Sequence, residues 1–316
     1  MTTVSATADR RIRGLRPPKA VVDPWKSHGW IVEAERRPTG IIEQAATIFL
    51  AGAECAFTCS FCDLWRHTID GPTPAGALPK QIADAFAEIN GAAIQRVKLY
   101  NASNFFDRHA VPPMDLPRIA ELCAPFSGVT VESHASTVGT SALELARRLP
   151  GRLEVAMGLE TIHPTAAPLL NKRLDVERFD RAASFLTEHD IDVRVFVLLG
   201  APGVRAEETV EWTVRTVSHA ANNGATVVSI IPVRGGNGEM ERLAAHGQFT
   251  PPTLSHLEAA LEASQGHRGT VVTVDLWDVD RLAGCSTCRA ARTERLRRMN
   301  VTGEREPAVV CAACDS

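Results

Sequence analysis

No run of apolar residues in the 316-residue chain approaches the ~20 that span a bilayer, so no membrane partner is expected. The opening stretch MTTVSATADRRIRGLR carries no apolar core of the kind a secretory signal needs, and a cytoplasmic location is the expectation. Charge of neither sign dominates: a formal net charge of −3 gives no general attraction for nucleic acid. Locally the first forty residues are basic, with eight Lys and Arg against four Asp and Glu, and residues 1–43 are expected to form a solvated N-terminal arm. Low-complexity tracts are missing too, and the only repeat is an alternation of strand and helix. Tyrosine occurs once, as Tyr100. What is present is 45% apolar and 22% charged residues, the balance of a globular chain with a substantial core.

The alternation starts at ATIFLAG (46–52), a buried strand by its apolar content. Further strands are predicted over 95–101, 128–134, 152–160, 192–200, 225–233 and 271–277. Amphipathic helices are predicted over 78–90, near 116–126, and over 141–149, 176–189, 206–221 and 253–264. Buried strands alternating with helices describe a parallel sheet. The fold class is therefore α/β, a full or partial (β/α) TIM-type barrel over 44–282, with an open doubly wound sheet as competitor. Both architectures place chemistry at the carboxyl ends of strands. Residues 283–316 lie outside the alternation, as a small metal-binding appendage.

Eight cysteines fall into groups: Cys55, Cys59 and Cys62; then Cys285, Cys288, Cys311 and Cys314; and Cys123 alone within IAELCAPF, a small core residue. Such grouping in a reducing compartment points to metal ligation rather than disulfides. The first group sits on a loop at the carboxyl end of a strand, spaced C-x3-C-x2-C. Closely spaced thiolates can hold a 4Fe–4S cluster, and three of them leave the fourth iron open to a chelating ligand. A zinc site is the alternative, with Asp63 or His67 as the fourth ligand.

The segment Cys55-Ala56-Phe57-Thr58-Cys59-Ser60-Phe61-Cys62 resembles the CxxxCxΦC signature of the radical S-adenosylmethionine (SAM) superfamily, with Phe61 as the aromatic Φ. The resemblance implies a 4Fe–4S cluster whose open iron is chelated by SAM, and reductive cleavage of SAM to methionine and a 5′-deoxyadenosyl radical. It also implies an electron donor such as flavodoxin or ferredoxin. Where superfamily members often carry a GGE-like turn, this chain has Tyr100-Asn101-Ala102-Ser103-Asn104, so Asn101, Ser103 and Asn104 are the expected contacts to the SAM amino group. Gly158-Leu159-Glu160 and Leu170-Asn171-Lys172-Arg173 resemble the GlE…nKR segments of the Elongator, MiaB and NifB group. That likeness assigns Glu160 to the ribose and Lys172 or Arg173 to the methionine carboxylate, with a solvated pair as the plainer account of the two cations. Leu199 and Gly200 suit a backbone edge against adenine. Tyr100, Glu132, His134, Arg234 and Asn237 end strands or follow them on the catalytic rim, and are the candidates for substrate contact. A satisfied structural histidine and a packing tyrosine are the alternatives for His134 and Tyr100.

The second cysteine group reads C-x2-C, 22 residues, C-x2-C. Four thiolates can close around zinc or hold a second 4Fe–4S cluster, and the spacing leaves both open. Between the pairs lies ARTERLRRMN, arginine-rich and helical by pattern, which could touch RNA phosphates, although Leu296 and Met299 give it an apolar side and arginine is common on solvated faces. The expected function is radical chemistry on a small polar substrate, nucleoside-like or sugar-like, with sulfur insertion as an outcome that a tail cluster would permit. Modification of a tRNA nucleoside is the less favoured alternative, and a non-catalytic iron–sulfur or zinc protein is the third.

Overall fold

A computed structural model describes residues 3–89 and 93–314. It opens with helix α1 (Thr3–Leu15) and strand β1 (Gly29–Arg36), both within the expected arm. Then follow β2 (Ile42–Phe49), α2 (Ala77–Glu88), β3 (Arg96–Tyr100), α3 (Leu116–Cys123), β4 (Gly128–Glu132) and α4 (Thr140–Arg148). The alternation continues through β5 (Arg152–Glu160), α5 (Val176–Glu188), β6 (Asp192–Leu199), α6 (Thr209–Asn222) and β7 (Ala225–Pro232). After α7 (Glu239–Ala245), α8 (Leu254–Ala263) and β8 (Val271–Val274), the chain ends in α9 (Arg289–Thr302) and an extended tail. Among the described residues no helix is long and apolar enough to cross a membrane.

One eight-stranded sheet is formed by the described residues, in sequence order from β1 to β8. The strands from β2 to β8 are parallel and β1 is antiparallel to β2. The sheet curls into a partial barrel: β1 and β8 are its two edges and do not pair with each other. This decides between the full and partial barrels that periodicity left open. Outward-facing Ile48, Leu99, Val131, Met157, Val195 and Ile230 are buried beneath the helices, each such side chain contributing roughly 1.5–3 kcal/mol on burial. Strands covered on both faces explain the near-continuous apolar runs in the sequence.

The inner face is not apolar. Glu154 of β5 pairs with Arg194 of β6 at 2.8 Å and with Arg37, just beyond β1, at 2.9 Å. Arg194 also reaches Glu35 of β1 at 2.8 Å, and Lys98 of β3 reaches the same carboxylate at 3.3 Å. Burial raises the carboxyl pKa of Glu154, but the guanidiniums of Arg194, Arg37 and Arg96 win and hold it well below the usual range. β1 contributes Glu35 to this network, and its pattern was hard to recognise because none of its residues is fully buried.

The open seam is covered by α9, which packs against both β1 and β8. Leu296 and Met299 are fully buried there. Asn300 imitates a neighbouring strand: its Oδ1 accepts from Val274 N–H at 2.9 Å and its Nδ2 donates to Val274 C=O at 2.8 Å. The edge groups of Val274 in β8 are thereby satisfied by a side-chain amide.

Candidate functional site

The loop after β2 carries Cys55, Cys59 and Cys62 to the carboxyl end of the barrel, where a parallel sheet gathers its chemistry. Contacts from distant parts of the chain fix it. Asn237, ahead of α7, donates from Nδ2 to Ser60 C=O at 2.8 Å, while its Oδ1 accepts from Met240 N–H at 2.9 Å. Asn171 donates to Thr58 C=O at 2.9 Å, and Ser60 N–H donates to Leu170 C=O at 2.9 Å. Asp9 of α1 accepts from the Thr58 hydroxyl and pairs with Arg173. Helix α1 is thus a strap over the loop, held further by Arg11 on Glu239 at 3.0 Å and by Arg16, just past the helix, on Glu54 at 2.6 Å.

Burial pushes the Cys62 thiol up to about 12 and the Cys59 thiol higher still. Bare thiols here hold their protons at neutral pH, so only a bound cation of high affinity displaces them. Cys55 accepts a hydrogen bond from Asn104 Nδ2 at 3.3 Å. The other end of that amide, Oδ1, accepts from His134 N–H at 2.7 Å. The His134 ring stacks on Phe57 with centroids 3.9 Å apart. Its Nδ1 accepts from Ser136 N–H at 3.1 Å, so Nε2 carries the hydrogen that reaches Lys172 C=O at 3.0 Å. Burial pulls this imidazole down to about 4, and it is neutral at pH 7. Both nitrogens are occupied, so His134 braces the loop.

Glu160 and Lys172 form an ion pair close to the thiols. Burial lowers the Lys172 pKa, but the Glu160 carboxylate and the nearby cysteines outweigh it and hold the ammonium above the ordinary lysine value. Two local features accompany the pair. Glu160 adopts φ 67° where the pairing of β5 with β6 shifts register. A Cβ at Gly158 would strike Glu160 Oε1 and Lys172 Nζ, so any larger residue there would have to displace the pair.

The other expected site residues are placed as follows. Asn101 is fully buried, and neither end of its amide has a partner; the Ser103 hydroxyl is buried and unpartnered as well. Tyr100 meets Phe196 edge-on across the barrel, with centroids 6.3 Å apart, and burial raises its phenol above the ordinary range. Arg234 is spent on Asp275 at 2.5 Å. Phe61 packs against a second apolar cluster that includes Leu170, Leu198 and Met240. Leu199 is buried at the end of β6, and Gly200 turns the chain at φ 78°. Asp9 and Thr58 were not singled out in the sequence, and Asn171 stood out only as part of the segment that holds Lys172, since the contacts they make join residues up to 164 apart.

Glu132, at the end of β4, has no ion-pair partner among the described residues, and burial pushes its carboxyl up to about 8 against the pull of Lys172. A carboxyl raised above its unfolded value of 4.5 keeps its proton in the fold, and ionising it costs stability as pH rises from there through 8. Glu132→Gln should therefore raise the thermal midpoint at pH 9 by about 2–4 °C or more and leave it unchanged at pH 4. Equal effects at both pH values would remove this assignment.

No family model and no curated protein matches the sequence. Solved structures do match. An N-terminally truncated Elp3 from the archaeon Methanocaldococcus infernus aligns with TM-score 0.54 and 12% identity, over 72% of this chain and 60% of that one. SuiB from Streptococcus suis aligns with TM-score 0.51 and 15% identity, over 75% and 49%. A radical SAM methyltransferase from Sphaerobacter thermophilus aligns with TM-score 0.52 and 17% identity, over 81% and 76%. The chain has the radical SAM fold. It spans less than two thirds of the Elp3 and SuiB chains. On the radical SAM fold the three-cysteine loop, the unpartnered Asn101 and Ser103, and the Glu160–Lys172 pair all lie on the carboxyl-end rim. These residues fit the cofactors the sequence implied: soft thiolates for iron, and orphaned amide and hydroxyl groups for a polar ligand.

Proposed function

We propose that the chain is a radical SAM enzyme acting on a small polar substrate, nucleoside-like or sugar-like. One observation carries this reading: a half-buried three-thiol loop at the barrel's carboxyl end, beside an Asn101 side chain that is fully buried and without a partner. A buried amide left unpaired costs about 1–3 kcal/mol, a cost that a ligand's amino or carboxylate group would remove. When bound to Cys55, Cys59 and Cys62, a 4Fe–4S cluster supplies with SAM a carbon radical that removes hydrogen from the substrate. The chain's own residues then have separable tasks. Asn101 and Ser103 bind the amino acid end of SAM, Lys172 faces its carboxylate, and Glu160 accepts from the ribose. Leu199 and Gly200 border the adenine. Asn104, His134 and Asn237 position the loop, and Arg173 acts through Asp9 in the same way. Glu132 and Tyr100 remain on the rim for the substrate. Flavodoxin or ferredoxin would supply the electron, in a cytoplasm that keeps the thiols reduced.

Modification of a tRNA nucleoside gains no support from α9. Arg292, Arg295, Arg297 and Arg298 are each paired with glutamates, and Arg289 donates to Val279 C=O and Gly284 C=O. Sulfur insertion depends on a cluster in the tail. The test of the main reading is anaerobic: the iron- and sulfide-reconstituted protein, given SAM and dithionite, should release 5′-deoxyadenosine and methionine in equal amounts. Iron that binds but never cleaves SAM would leave only the non-catalytic carrier.

A further inference from the structure

Cys285, Cys288, Cys311 and Cys314 bring their four sulfurs within 4.8 Å of one another, and the Cys288–Cys314 pair stands at 3.7 Å. Four thiolates around one zinc, at bonds of about 2.3 Å in a tetrahedron, lie about 3.8 Å apart. A 4Fe–4S cube carries each thiolate on a different iron, so its four sulfurs are spread around the whole cube and stand farther apart. The loop thiols of Cys55, Cys59 and Cys62 are not gathered around one point as the tail quartet is, among the described residues. We propose that the tail quartet is a closed, mononuclear tetrathiolate zinc site, and that its work is to clamp α9 into the open seam of the barrel.

The surroundings suit a clamp and not a reactive centre. Cys288 caps the first turn of α9, with Arg292 N–H donating to its C=O at 3.0 Å. Cys311 and Cys314 lie on the segment that returns after the helix, in a turn closed by Cys314 N–H on Cys311 C=O at 2.9 Å. One ion therefore joins the start of α9 to the chain beyond its end. The same helix is moored to α8 by Arg292 on Glu258, and by Arg295, 2% exposed, on Glu262 at 2.6 Å. Leu254 N–H donates to Ala283 C=O at 2.9 Å immediately before the first cysteine pair. Four ligands leave zinc no open position, so neither a substrate nor SAM can bind it. A tail of this kind supplies no sulfur and passes no electrons, which removes the basis for sulfur insertion.

The inference does not depend on the chemistry of the loop, and its test separates the two sites. The full-length Cys55→Ala/Cys59→Ala/Cys62→Ala variant, purified without oxygen and then incubated with iron and sulfide, should hold about one zinc per chain and no iron. Cobalt grown into the same variant should show the intense thiolate-to-metal charge-transfer bands of a tetrahedral sulfur site. Adding Cys288→Ala should reduce zinc at least about tenfold and expose residues 283–314 to protease. Uptake of about four irons with sulfide by the triple variant would overturn the proposal in favour of an auxiliary cluster. Failure to hold either metal would overturn it as well.

Discussion

Replacing Cys59 with alanine is expected to abolish 5′-deoxyadenosine formation while leaving the barrel folded. With the second thiol of the loop gone, the other two cannot hold a cluster on one loop, and iron at this site should fall from about four per chain to near zero. The fold should survive because the loop is anchored by groups other than sulfur. Asn237 holds Ser60 C=O, Asn171 holds Thr58 C=O, and Leu170 C=O accepts from Ser60 N–H. Circular dichroism should match the parent chain, and zinc in the tail should be unchanged. A variant that kept SAM cleavage at even a tenth of the parent rate would refute the assignment of the loop.

The second large effect is on stability. Arg194→Met leaves Glu154 and Glu35 buried with fewer counter-charges, since Arg194 bridges both at 2.8 Å. Breaking a buried pair by removing one partner costs about 3–5 kcal/mol. For a chain of this size that lowers the thermal midpoint by roughly 10 °C. The loss should depend on pH. Burial raises the Glu35 pKa, but Arg194 and Lys98 bring it below its ordinary 4.5, and Glu154 is depressed likewise. Both carboxylates stabilise the fold above that value, and the contribution disappears as pH falls through their lowered values. The gap between variant and parent should therefore be widest near pH 7 and narrow in acid. Urea unfolding at several pH values checks this, and a penalty under about 1 kcal/mol at pH 7 would mean the network is a spectator.

Much of the barrel was legible because strands buried on both faces repeat β-branched residues. The strand at 152–160 matches the structure end to end, and those predicted over 192–200 and 225–233 start where β6 and β7 start and run one residue past their ends. β1 escaped because none of its residues is fully buried and its inner face carries Glu35, and α7 because seven residues are too few for a helical period to show. The cysteine loop was visible because its spacing is local. The strap through Asp9 was not, since nothing near Asp9 in the sequence marks Thr58 or Arg173 as partners. Asn237 and His134 were recognised as important for their position on the rim. Their hydrogen bonds turn them toward the loop, a distinction that only three dimensions reveal.

Asn300 completes β8 by standing where a ninth strand would stand. Cutting the chain before α9 would strip that cover, leave the Val274 amide and carbonyl of β8 open, and bare the outer sides of β1 and β8 that α9 packs against. Molecules shortened in this way are expected to pair edge to edge and to lose solubility relative to the full chain in a sedimentation assay. The tail is thus what keeps one copy of the sheet from adopting another copy as its next strand.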